Sequence, residues 1–134
     1  MRSWIFAYLG TAAAMLVLDG VWLSFAAKRL YRPLLGDMLA DGFRLAPAAL
    51  FYFLYVAGIV VLAVAPGLAA GKWTVALSRG LVLGLIAYGT YDLTNQATLR
   101  QWSGLVTVAD MCWGTILTGA AATAGYYAAR WAAA

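Results

Sequence analysis

Three aspartates, Asp19, Asp92 and Asp110, lie inside stretches of sequence that are otherwise apolar. An ionisable side chain at the centre of a membrane-spanning helix costs on the order of 2.5–3.5 kcal/mol on insertion scales, and nothing about spanning a bilayer requires one. Three carboxylates with no neighbouring Lys or His cannot all stay ionised in a dry pocket unless an arginine or another cation intervenes. Arg100, eight residues past Asp92, is the nearest such partner in sequence. A carboxylic acid beside a carboxylate can serve as acid and base towards a lipid-soluble substrate, bind a cationic amphiphile, or carry protons. A three-Asp cation site is a further option, but no Asp-rich ligand spacing accompanies the three, and no metal ligand is assigned.

The company these residues keep is polar and aromatic. Tyr88, Tyr91, Asp92 and Asn95 stand at i, i+3, i+4 and i+7, which forms one stripe on a helix. Thr94 and Thr98 flank it, Tyr52 and Tyr55 stand three apart, and Trp113 follows Asp110 by about one turn. Asp92, Asp19 and Asp110 are therefore the candidate acid–base or proton-binding carboxylates, with Asp92 at the centre. Tyr52, Tyr55, Tyr88, Tyr91, Asn95, Arg100 and Trp113 are the candidate ligand-binding residues. The competing account is structural: polar groups near helix ends cross-link helices, and Asp110 complements a helix N-terminus.

The elements that must position these residues follow from composition. Of 134 residues 65% are hydrophobic and 10% charged, where an ordinary soluble chain carries about a quarter charged. The mean hydropathy is +0.83. Four apolar runs, about 4–26, 47–67, 76–98 and 106–129, each approach the roughly 20 residues that cross a bilayer. The first continues well past Ala12, Ala13 and Ala14 and reads as a retained helix rather than a signal peptide. The fold expected is all-α: a single domain over 1–134, an integral membrane four-helix bundle with one short interfacial helix. That helix, over about 33–43, begins with Pro33 and lies in the headgroup layer. Pro47 suits the first turn of the second span, and Pro66-Gly67 ends it.

Four crossings put both termini on one side, called side A, and all three aspartates towards the opposite side B. Trp4, Trp73 and Trp131 fall at side-A ends and Trp22 and Trp102 near side-B ends, as an aromatic belt would. Side A carries Arg2, Lys72, Arg79 and Arg130, and side B carries Lys28, Arg29, Arg32, Arg44 and Arg100, a narrow lean towards side B being cytoplasmic. These basic residues read as headgroup anchors, so the net charge of +4 points to no nucleic acid. Cys112 stands alone within a span and reads as packing. Gly80 and Gly84 form G-x-x-x-G, and Gly114, Gly119 and Gly125 line the fourth span, allowing close helix approach within the chain or to a second copy. Asp19-Gly-Val-Trp22 and Asp110-Met-Cys-Trp113 share a D-x-x-W spacing in different surroundings, which reads as coincidence.

Phe51-Tyr-Phe-Leu-Tyr55, Tyr88-Gly-Thr-Tyr-Asp-Leu-Thr-Asn95, Trp102 and Asp110-Met-Cys-Trp-Gly114 together resemble the signature of a family of small bacterial membrane proteins of unknown function. The resemblance covers nearly the whole chain. It implies four helices, the inner (cell) membrane and a setting near membrane-lipid or fatty-acid modification, and it supplies no assigned activity or catalytic residue. Three functions then compete. The first is a site for a lipid-like or small amphiphilic molecule with membrane lipid as partner. The second is an accessory subunit of a larger membrane complex or homo-oligomer, and the third a small proton-coupled transporter. Side A offers little beyond Thr11, Ser78 and Arg79, which ranks transport last. The sequence names no cofactor, substrate or reaction.

Overall fold

Apolar runs without water to serve their backbone groups must bond internally, and they do so as helices. The computed structural model describes residues 2–36 and 44–134. Four helices are long and apolar enough to cross a membrane: α1 Arg2–Leu35, α2 Leu45–Ala70, α3 Trp73–Thr98 and α4 Gly104–Ala133. Successive helices run antiparallel, and the Phe6 and Trp131 rings meet at 5.6 Å, so both chain ends lie at one end of the bundle.

Helix α4 is the hub. It packs along α3 on one side and α1 on the other, while α2 lies mainly against α3 and closes onto both other helices. Of its most apolar window 44% is buried, against 17% for α1. The α3–α4 contact is close because small residues face each other. A Cβ on Gly84 would lie 2.3 Å from the Gly114 carbonyl oxygen, and a Cβ on Gly80 2.9 Å from the Gly119 Cα. The G-x-x-x-G face is thus spent within the chain, against α4. Towards side A the interior is filled by Ala7, Met15, Ala63, Val64, Ala121 and Ala122, with the Thr11 hydroxyl bonded back to the Ala7 carbonyl at 2.8 Å. Leu16, Val17, Phe53, Val61, Ile86, Val108 and Ile116 are exposed around the outside, where acyl chains would cover them.

Two departures from the sequence reading share one cause. Pro66 does not end α2; the helix runs on to Ala70 and stops at Gly71, which takes φ 68°. Pro33 does not open a separate element either, because α1 continues unbroken to Leu35 and stops before Gly36. In each case a π-helical turn, Ala27–Tyr31 or Val60–Val64, ends two residues before the proline. A proline ring clashes with the carbonyl four residues back and lacks an N–H to satisfy it. The wider i→i+5 turn ahead of it lets the helix continue. Residues 33–35 of the expected interfacial helix are therefore the end of α1, while 37–43 lie outside the described residues.

Candidate functional site

The three aspartates occupy the side-B end, each on a different helix. Asp92 stands six residues before the end of α3 and Asp110 six residues after the start of α4, about 9 Å from either end at 1.5 Å per residue. Antiparallel pairing of α3 and α4 sets the two carboxyl groups beside each other. Ser103 caps α4 by accepting from the Val106 N–H at 3.4 Å, and Thr107 donates to the Asp92 carbonyl at 3.5 Å while accepting from Trp102 Nε1 at 2.9 Å. The backbone at Asp92 is thereby fixed from α4.

Each of the other two aspartates has phenol and indole donors around it. Asp19 on α1 accepts from the Tyr52 hydroxyl of α2 and from Trp113 Nε1 of α4, the latter at 3.3 Å. Asp110 accepts from the Tyr31 hydroxyl at 2.6 Å, and that hydroxyl accepts from Trp22 Nε1 at 2.9 Å. The Trp22 and Trp113 rings stack at 4.8 Å with 9° between their planes. The two D-x-x-W segments thus meet crosswise on antiparallel helices. The tryptophan of α4 reaches the aspartate of α1, and the tryptophan of α1 reaches the aspartate of α4 through Tyr31. Their shared spacing, read as coincidence, lets each supply the other's donor.

Asp92 is different. Its side chain is fully buried, and neither carboxylate oxygen has a hydrogen-bond partner. Buried polar atoms are nearly always paired, and an unpaired one in a native fold calls for an explanation. The Asp110 carboxyl group lies within hydrogen-bonding reach of it, an acceptor when ionised and a donor only when protonated. Two such carboxyl groups coexist there only with a proton, a cation or a donor group between them. Arg100 does not fill that role: it is exposed on the turn after α3.

The remaining sequence candidates divide. Tyr52 joins the network through Asp19. Tyr88 lies within electrostatic reach of Asp19 and Asp110, its ring pressed against Gly114, where a Cβ would fall 2.1 Å from the ring. Tyr55 is buried and bonds the Thr118 hydroxyl at 2.7 Å, one layer deeper, with its ring edge-on to Tyr88 at 6.3 Å. Asn95 is half-buried one turn past Asp92. Tyr91 is 57% exposed and packs edge-on to Trp102 at 5.7 Å, within electrostatic reach of Asp110 and Asp92. Sequence reasoning missed Tyr31 and assigned Trp22 to the aromatic belt, although Trp22 is half-buried in the network. The signal for Trp22 was its D-x-x-W spacing; Tyr31 left none, because the π turn that aims it is not legible in the residues. Among the described residues no group of three or more His, Cys, Asp and Glu side chains could hold a metal ion.

Residues 4–127 match the family of predicted membrane proteins DUF2177. No curated protein and no solved structure matches the chain.

Proposed function

The chain belongs to the DUF2177 family of predicted membrane proteins, and we propose that it binds a small amphiphilic or lipid-like molecule at the side-B cluster. The observation that carries this reading is Asp92, a fully buried carboxyl group that no hydroxyl or N–H of the described residues reaches, its close polar neighbour being the Asp110 carboxyl group. A purely structural aspartate would be expected to cross-link helices, as Asp19 and Asp110 do. Asp19 and Asp110 are half-buried, so the molecule approaches from the membrane surface and meets Trp22, Trp113 and Tyr31 first. Asp92, Asp19 and Asp110 are the proposed acid–base or proton-binding groups, and Tyr52, Tyr88 and Trp113 line the approach. We place the protein in the bacterial inner membrane, the setting that its sequence resemblance implies.

Transport has less support. Among the described residues the side-A half of the interior is mostly Ala, Val and Met, with the Thr11 hydroxyl bonded back to its own helix. An accessory role in a larger assembly gains no specific support either, since the small-residue face of α3 is already occupied by α4.

Native mass spectrometry of protein extracted gently from its own membrane tests the proposal. A discrete small molecule retained by the wild type and lost from Asp92→Asn is the expected result. Wild type and variant carrying the same adducts would count against it.

A further inference from the structure

We infer that the head group this site accepts is a protonated amine. The inference rests on the binding site proposed above and narrows it to one chemical class. Among the described residues the cluster is three carboxylates with the phenols of Tyr31 and Tyr52 and the indoles of Trp22 and Trp113 already committed to acceptors, and Tyr88 within electrostatic reach. From α1 come Asp19, Trp22 and Tyr31, from α2 Tyr52, from α3 Tyr88 and Asp92, and from α4 Asp110 and Trp113. All nine basic residues are exposed, so none is buried among these carboxylates. A phosphate or carboxylate group placed between Asp92 and Asp110 would meet only acidic groups there. An ammonium group instead supplies three donors and a positive charge.

Asp92 is the independent sign that a donor belongs here, since its two oxygens are buried and unmatched. An ammonium reaching in past half-buried Asp110 would bridge the Asp110 and Asp92 carboxyl groups with charge-assisted bonds. The stacked Trp22 and Trp113 add aromatic surface, which suits a cation and the first methylenes of its chain. The amine has two sources, a free long-chain amine or the head group of an amine-bearing lipid. For the latter, exposed Lys28 and Arg32, just beyond Trp22 on α1, lie at the rim where its phosphate would fall.

The test is isothermal titration of the detergent-solubilised full chain with dodecylamine, dodecanol and dodecanoate. A parallel arm titrates phosphatidylethanolamine against phosphatidylcholine in mixed micelles. Dodecylamine is expected to bind saturably and at least about tenfold more tightly than dodecanol, with dodecanoate weakest. Asp92→Asn is expected to lose about tenfold in affinity for the amine and little for the alcohol. Phosphatidylethanolamine bound in an Asp92-dependent way assigns the amine to a lipid head group; dodecylamine alone bound in that way assigns it to a free amine. Dodecanol or dodecanoate binding as tightly as the amine overturns the amine assignment and leaves the binding site standing. Saturable binding of none of the five overturns both. The comparison among ligands is made on the wild type, so it holds even if the variant folds poorly.

Discussion

Replacing Asp92 by Asn separates a ligand-facing role from a structural one because of what Asp92 lacks. Removing one partner from a buried hydrogen bond costs about 1–3 kcal/mol, since the group left behind is desolvated and unpaired. Asp92 has no hydroxyl or N–H donor to strand: both oxygens are buried, and the neighbour beside them is another carboxyl group. Asn is nearly isosteric, so packing against α4 is kept. Its amide also brings an N–H that can donate to Asp110, a charge-assisted bond if Asp110 is ionised. The net change in stability is therefore expected to lie within about 1 kcal/mol of zero, with either sign. For a chain of this size that corresponds to roughly 4 °C in Tm. The assay is paired: thermal unfolding in detergent, and complementation of the deletion phenotype. The expected outcome is a wild-type melting temperature with function lost. A fall in stability of about 2 kcal/mol or more would mean that Asp92 holds a partner in the folded protein, and the reasoning from its unmatched oxygens would fail.

Tyr31→Phe removes the donor to Asp110 and the acceptor for Trp22 Nε1 together, and is expected to destabilise by about 1–3 kcal/mol. Tyr91→Phe, on a half-exposed ring whose hydroxyl makes no hydrogen bond to the described residues, is expected to change stability by less than about 0.5 kcal/mol; equal effects of the two would remove Tyr31 from the site. Gly114→Ala places a methyl 2.1 Å from the Tyr88 ring, an overpacking expected to cost about 1–3 kcal/mol, so unchanged melting would contradict the α3–α4 spacing. Deleting Ala27 removes the extra residue of the π turn and rotates the last residues of α1 by about 100°. Tyr31 then loses Asp110, and the deletion is expected to melt like Tyr31→Phe rather than like wild type.

The depth of the site was legible in the sequence, because four spans of similar length alternate in direction and bring Asp19, Asp92 and Asp110 to one end. Its detailed membership was less so. Adjacent helical residues point about 100° apart, so Tyr91 turns out towards Trp102 while Asp92 beside it turns in. A stripe drawn from spacing alone does not say how deeply each of its members is buried. Pro33 and Pro66 read as boundaries because proline removes a helical hydrogen bond, but the π turns ahead of them carry α1 and α2 onward. That continuation of α1 brings Tyr31 over Asp110. Trp22 read as a belt residue because its position along α1 is interfacial; its partner Trp113, far away in the chain, is visible only once α1 and α4 are paired.

The most direct test of the account is a ligand-resolved structure of the protein in a lipid nanodisc, read at the Asp92 carboxyl group. A non-protein donor atom within hydrogen-bonding distance of an Asp92 oxygen, with its chain leading out past Trp22 and Trp113, is the result the account predicts. Asp92 closed against Asp110 alone, with only acyl chains outside the Trp22–Tyr31–Asp110 network, would contradict it.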